Sequence, residues 1–313
     1  MTQINSVLGL IDSKKLGFTL MHEHLLVGFH GIITEYPEFL ADNVLERIVR
    51  RLKETKEGGV DTVVDMTTND LGRDINMIVE ASQRSGVNII ACSGWWRDVP
   101  RFMMGVTADQ MAKAFVREIE VGIAGTKIKA GLLKSASDFE GVTPPQEIVL
   151  RGVARAHKIT GVPIAIHSYH PGQIALQQIH ILEEEGIDLR RVKFDHSNDT
   201  TDVEYLLGIL KKGCFLGLDR YPGRMVSSMS RTKTMKALID AGYADRLCPS
   251  HDCSLAYVFP EGANIEQMEA GNPHRYLYIK KVVFPWLKEM GVSESIISRL
   301  CVDGPRNFFE GKS

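Results

Sequence analysis

The sequence predicts an α/β protein: a single (β/α)8 TIM barrel domain over residues 1–313, with its working face at the C-terminal ends of the strands. Three observations predict it. Eight short apolar runs rich in Val, Ile and Leu recur along the chain. Segments of helical periodicity separate them. Histidine, lysine, arginine or aspartate stands directly after several of the runs.

The runs are Phe18 to Met21, Thr62 to Met66, Asn88 to Cys92, Ile128 to Leu133, Pro163 to Ile166, Val192 to Phe194, Cys214 to Leu218, and Leu247 to Pro249. Short continuous apolar runs suit parallel strands buried on both faces. Between them, apolar residues recur three and four apart with charges opposite. This holds for Val44 to Glu57, Asp109 to Val121, Pro145 to Thr160, Gly172 to Glu185, Val203 to Lys212, and Met229 to Ala241, the pattern of amphipathic helices. Thr143 before Pro144-Pro145, and Gly161 at the other end, read as start and stop signals. Repeated βα units imply a parallel sheet. Eight of them favour a closed barrel over the alternative, an open doubly wound sheet.

The length of 313 residues is ordinary for one barrel, which takes about 250 residues plus insertions. Hydrophobic residues make up 44% and charged residues 24%, enough for a sizeable core. A net charge of −2 leaves no basic stripe, so nucleic acid is not expected as a partner. No run approaches the roughly 18 apolar residues of a membrane span. Met1 to Gly9 does not read as a signal peptide. The cysteines, Cys92, Cys214, Cys248, Cys253 and Cys301, are odd in number and scattered. That argues against a disulfide framework and points to the reducing cytoplasm.

His22 and His24 follow the first run, Lys134 the fourth, His167 the fifth, His196 the sixth, Arg220 the seventh and Asp252 the eighth. In a barrel these ends converge on one face. Alternate side chains of a strand share a face, so His22 and His24 point inward to hold one metal ion while Glu23 turns away. The motif is short, and two surface histidines would read the same. His167 and His196 each read equally well as structural histidines, but their combination with the others is harder to attribute to chance. Asp252 is either an N-cap or a metal ligand that takes a proton from water. His251 beside it would face the other way. Lys134 is the least obvious member. An ammonium repels cations, and spacing alone favours a lysine snorkelling from the rim, with Lys127 and Lys129 as rivals. A desolvated amine that sheds its proton can add carbon dioxide to form an anionic carbamate.

Seven stretches occur in order: Thr19 to His24, Gly59 to Asp65, Lys129 to Lys134, Thr160 to His167, Asp195 to Thr200, Gly217 to Tyr221, and Ser250 to Asp252. Together they resemble the phosphotriesterase family of the amidohydrolase superfamily, most closely its phosphotriesterase-like lactonase branch. The resemblance runs from about residue 5 to about residue 310. It implies a metal-dependent hydrolase with two divalent ions, zinc first and manganese, cobalt or iron as alternatives. His22, His24 and Asp252 would hold the buried ion and His167 and His196 the exposed one. Lys134 would be the carbamate between them, a hydroxide the nucleophile, and Asp252 the proton acceptor. A homodimer is expected from the resemblance alone.

For the small-molecule substrate, the resemblance gives mixed signals. Trp96, after Trp95, is similar to the phosphotriesterases, whereas Arg220 and Tyr221 are similar to the lactonases. Trp95, Trp96, Arg220, Tyr221 and Tyr257 are the expected substrate contacts, with packing as the other reading of the two tryptophans. Phe259 and Met268 add apolar lining on the last loop. The leading expectation is hydrolysis of a lactone or related ester with side activity on phosphotriesters. The alternatives are a primary phosphotriesterase, a hydrolase of another acyl bond such as an amide, and a non-catalytic metal-binding barrel.

Overall fold

The computed structural model describes residues 2–31, 35–40, 43–223, 225–257 and 270–311, and the side chains of residues 102, 104 and 257 lie outside the description. Of the expected lining residues, Phe259, Met268 and the side chain of Tyr257 therefore lie outside the described residues. The chain opens with an antiparallel hairpin that the sequence reading did not anticipate, β1 (Gln3–Ser6) and β2 (Gly9–Asp12). Asn5 ties it down by donating from its side-chain amide to the carbonyls of Ile119 and Ala130.

Nine strands then form one parallel sheet, ordered β10-β9-β8-β7-β6-β5-β4-β3-β11. They are β3 (Thr19–Val27), β4 (Thr62–Asp65), β5 (Asn88–Gly94), β6 (Leu132–Ser137), β7 (Ile164–Ser168), β8 (Val192–Asp195), β9 (Phe215–Leu218), β10 (Leu247–Pro249) and β11 (Ser254–Tyr257). Each of the eight runs overlaps a strand, with two informative shifts. The fourth strand starts at Leu132, not Ile128, because the backbone before it is spent elsewhere. Ala130 N bonds the carbonyl of Glu118, Ile128 N bonds the hydroxyl of Thr126, and the Ile128 carbonyl accepts from Ile123 N. Lys134 therefore lies inside its strand. The first strand continues to Val27, since His22, Glu23 and His24 interrupt the apolar run but stay buried.

The sheet curls. After β10, Ser250 N still bonds Leu218 O, but Asp252 N bonds His22 O at 3.2 Å and His24 N bonds Cys253 O at 3.1 Å. β11 then pairs with β3. The two ends of the strand order are thus joined by the four residues 250–253.

Helices follow the strands: α1 (Val44–Glu57), α2 (Ile75–Ser85), α3 (Ala108–Glu120), α4 (Pro144–Thr160), α5 (Ala175–Glu184), α6 (Val203–Lys211) and α7 (Ser228–Asp240). α4 starts at a capping box between Thr143 and Gln146 and stops at Gly161, whose φ is 71°, as the start and stop signals predict. α2, which the sequence reading missed, is capped by the Asp74 carboxylate. α5 begins three residues later than expected because His170–Gly172 forms a separate turn. Three short helices close the chain, α8 (Phe284–Glu289), α9 (Glu294–Ser298) and α10 (Gly304–Glu310).

Strand alternation divides the apolar core in two. Leu20, Val63, Ile89, Leu133 and Ile166 face the helices. Met21, Val64, Ile90, Leu132, Ala165, Phe215 and Cys248 face inward and pack on Phe308 and Phe309 of α10. The second cluster plugs the curl, so the strand ends open toward solvent on the opposite side. No helix among the described residues is long and apolar enough to cross a membrane.

Candidate metal centre

The C-terminal strand ends surround a cavity of about 190 Å3, lined by His22, His24, Lys134, His167, His196, Asp252, Arg220 and Trp96 with Val27, Met66, Leu71 and Ser254. All six candidate metal ligands thus meet in one place. His22 and His24 share a face of β3, turned to the cavity by a register shift between Leu20 and Glu23. Glu23 turns the other way, into a buried clamp. It accepts from the Ser250 hydroxyl, His251 N, Cys253 N and, at 2.5 Å, His251 Nδ1. Ile279 N donates to His251 Nε2, so the proton of that ring sits on Nδ1. The clamp pins residues 250–253 against β3 and directs His251 away from the cavity. Asp252 then adopts φ 50°, and His196 after β8 adopts φ 64°. Left-handed backbone costs a non-glycine residue roughly 1–3 kcal/mol. In both residues it accompanies a side chain turned into the cavity.

Two groups of donor atoms result. His22 Nε2 lies 3.3 Å and His24 Nε2 3.2 Å from one oxygen, Asp252 Oδ1. Thr67 Oγ1 lies 2.9 Å from His24 Nδ1, behind the ring. His196 Nε2 lies 2.7 Å from His167 Nδ1. Behind these rings, Asp219 Oδ1 lies 2.9 Å from His196 Nδ1 and Asp138 Oδ2 lies 3.4 Å from His167 Nε2. Lys134 Nζ, almost fully buried, donates to Asp195 Oδ2 at 2.6 Å.

The donor set fits a divalent cation. Zinc bonds of about 2.0–2.2 Å in a tetrahedron hold ligand atoms roughly 3.3–3.6 Å apart, which matches the spacing around Asp252 Oδ1. His22, His196 and Asp252 also form one compact group of donors, and His22, Asp195 and Asp219 a second. His22 Nδ1 is buried between two carboxylates, 3.1 Å from Asp219 Oδ2 and 3.2 Å from Asp195 Oδ2, and neither it nor Asp219 Oδ2 completes a hydrogen bond. The electrostatics point the same way. Burial lowers the His22 imidazole and so does Lys134, yet Asp195, Asp219 and Asp252 together push it up to about 10. So many carboxylates at one ring mark a place for positive charge. Burial holds His167 below its ordinary value, and burial with the Arg220 cation holds His196 well below. Both rings thus stay neutral, as ligands must be. Burial would raise the Asp252 carboxyl, but His196 and His22 hold it well below the usual carboxylate range.

Arg220 lines the cavity with its Nε 3.1 Å from Asp252 Oδ2 and its Nη1 2.7 Å from Asp199 Oδ2. Trp96 forms a wall, its ring edge-on to His167 at 6.0 Å. Trp95 and Tyr221 are not brought to the cavity. Trp95 turns its Nε1 to the Asp98 carbonyl. Tyr221 is buried against Thr232 and stacks on Tyr278.

Several residues of this site escaped the sequence reading. Asp195 and Asp219 stand beneath the imidazoles, Asp138 lies behind His167, and Asp70 accepts Trp96 N on both carboxylate oxygens. The signal was present for two of them. Asp195 ends β8 and Asp219 follows β9, the same position that singled out the histidines. Lys193, fully buried and paired with Asp195 Oδ1, left no such signal.

Comparison with known proteins agrees with this arrangement. The model of the phosphotriesterase family matches residues 2–309. The chain is 39% identical to a phosphotriesterase homology protein of Mycobacterium tuberculosis, covering 99% of this chain and 98% of that one. It is 34% identical to an aryldialkylphosphatase of Saccharolobus solfataricus over 96% of each. It is 25% identical to an N-acetyltaurine hydrolase of Xenopus tropicalis, over 99% of this chain and 98% of the relative.

Proposed function

The chain belongs to the phosphotriesterase family, and from that premise we propose that it is a two-metal hydrolase of lactones or related carboxylic esters, with side activity on phosphotriesters. One observation carries the reading: His22 Nε2 and His24 Nε2 converge on Asp252 Oδ1 within 3.3 Å, beside the facing nitrogens of His167 and His196. The curled sheet is read as a closed (β/α)8 barrel, supported by the hydrogen bonds from residues 250–253 to β3. His22, His24 and Asp252 would hold one ion and His167 and His196 the other, with zinc the first candidate. Lys134 would serve as a ligand in its carbamate form, since an ammonium offers a metal no lone pair. When bound, such ions polarise a carbonyl or phosphoryl oxygen and make water acidic enough to attack at neutral pH.

The protein's own groups divide the remaining work. Asp252 turns Oδ1 to the histidines and Oδ2 to Arg220. It is ionised and turned to the cavity, which places it to accept a proton from water there. Arg220 does not relay that proton, because a guanidinium does not give one up. It is a fixed cation held by Asp199 that aims the Asp252 carboxylate. Trp96, Met66, Leu71 and Val27 give the cavity apolar walls, which suit the acyl part of an ester.

A second reading, primary phosphotriesterase activity, draws support from the archaeal relative's name and from Trp96 at the wall. Amide hydrolysis draws on the N-acetyltaurine hydrolases alone. Five free cysteines suit a cytoplasmic location, and a homodimer remains part of the proposal on family grounds. The metal-loaded protein should be assayed on acyl-homoserine lactones, γ- and δ-lactones, aryl esters, aryl phosphotriesters and an N-acyl aminosulfonate. Highest kcat/KM on a lactone is the expected result. Highest kcat/KM on a phosphotriester or the amide would replace this reading.

A further inference from the structure

β8 carries two side chains into the interior of the sheet one above the other, Lys193 and Asp195, both fully buried. Asp195 Oδ1 pairs with Lys193 Nζ, and its Oδ2 meets Lys134 Nζ at 2.6 Å and His22 Nδ1 at 3.2 Å. One carboxylate therefore lies against two candidate ligands from below, sharing His22 Nδ1 with Asp219 Oδ2 at 3.1 Å but meeting Lys134 itself. Its backbone is fixed as well, since His170 Nε2 lies 2.9 Å from the Asp195 carbonyl. The neighbouring strand leaves room for it. A Cβ on Gly217 would come within 2.8 Å of Asp195 Oδ1 and 2.4 Å of Asp219 Oδ2, so only glycine admits both carboxylates.

Lys193 does not line the cavity and has no access to substrate. Taking an ammonium and a carboxylate out of water is costly, and a packed apolar pair of similar volume is often neutral or stabilising by comparison. Stability is thus a poor reason for the pair. A carboxylate behind a metal-ligating imidazole, in contrast, fixes the ring and raises its basicity, and losing such support weakens metal binding about 10–100-fold.

We propose that Asp195 is a positioning residue of the metal centre, setting His22 and Lys134 from below, and that Lys193 is its dedicated counter-ion. This rests on the site being a metal centre. Lys193 keeps a cation on Oδ1, so Asp195 does not depend on Lys134 for its compensation, and Lys134 is available to the ions above it.

The test pairs Lys193→Met with Asp195→Asn, which removes both charges at near-constant volume. Zinc affinity is measured by competition with a chromogenic chelator, and Tm by thermal melting. The double variant should melt close to the wild type while binding zinc about 10–100-fold more weakly. Lys193→Met alone should lower Tm, because it leaves Asp195 short of a cation. A double variant with wild-type zinc affinity overturns the proposal, since a merely structural pair can be removed without touching the metal. If the double variant does not fold, Asp195→Asn alone decides. It is isosteric and still accepts from Lys193, so at least tenfold weaker zinc binding supports the proposal and unchanged binding overturns it. Wild-type protein that takes up no zinc, manganese or cobalt would instead sink the metal-centre reading beneath it.

Discussion

His196 Nε2 and His167 Nδ1 face each other at 2.7 Å with both rings buried. The groups behind the rings fix where the protons are. Asp219 Oδ1 lies 2.9 Å from His196 Nδ1, and Asp138 Oδ2 lies 3.4 Å from His167 Nε2. Carboxylates accept, so the ring protons belong on those outer nitrogens. The inner nitrogens are then two opposed lone pairs closer than the two ligand atoms of a bound zinc, an arrangement that a cation drawing both nitrogens toward itself relieves.

Purified protein should accordingly carry about two divalent ions per chain by elemental analysis. Chelation should abolish hydrolysis, and added metal should restore it. His196→Ala should retain about one ion and lose at least a hundredfold in kcat/KM. Full metal content in that variant would remove His196 from the ligand set.

Lys134→Ala should weaken metal binding and lose activity, and a short-chain carboxylic acid should restore part of both. Lys129→Ala, half-buried on the side of the N-terminal hairpin, should do neither. Loss without rescue would show that Lys134 acts as the partner of Asp195 rather than as a bridging group.

Arg220→Ala should keep its metal, because the guanidinium touches carboxylates and none of the histidine nitrogens facing the cavity. Releasing Asp252 should cost about ten- to a hundredfold in kcat/KM, roughly 1.4–2.7 kcal/mol, and change the ratio of lactone to phosphotriester turnover. An unchanged ratio would make Arg220 a purely structural brace.

Asp70 provides a pH test away from the ligands. Burial pushes its carboxyl up to about 6, against the Thr68 hydroxyl and Trp96 N that favour the anion. Unfolded, it ionises near about 3.9. Between these values the folded chain holds a proton that the unfolded chain has lost. The contribution of Asp70 is therefore fully present below about pH 4, falls as pH rises to about 6, and is absent above. Asp70→Asn, which keeps an acceptor for Trp96 N, should gain roughly 2 kcal/mol at pH 8 relative to pH 4. Thermal melts of both proteins across that range check it, and a constant difference in Tm would show that Asp70 is not protonated in the fold.

The strands and most helices were legible because apolar periodicity is a local property. Six ligand candidates were legible because each follows an apolar run, although His22, His24 and Lys134 lie inside strands that continue beyond them. The strands of the hairpin β1–β2 were too short to register, whereas helix α2 did carry a signal, Ile75, Ile78, Ala81 and Ser82 at helical spacing after the cap Asp74. Trp95 and Tyr221 stood beside true cavity residues, but neighbours on a chain leaving a strand diverge, and both turned into packing. Lys193 was hidden for a different reason. Its chemistry depends on depth inside the sheet, and depth is set by the whole curled sheet at once. The left-handed backbone at His196 and Asp252 was equally silent, since neither residue is a glycine.

The clamp between Glu23 and residues 250–253 spans 227 to 230 positions of sequence. Closing so long a loop is slow and cannot begin until both partners exist. On a ribosome, His22 and His24 therefore emerge long before Asp252. A nascent chain can complete most of its βα units while this candidate site still lacks the carboxylate, and a chain cut short before Asp252 is released without it.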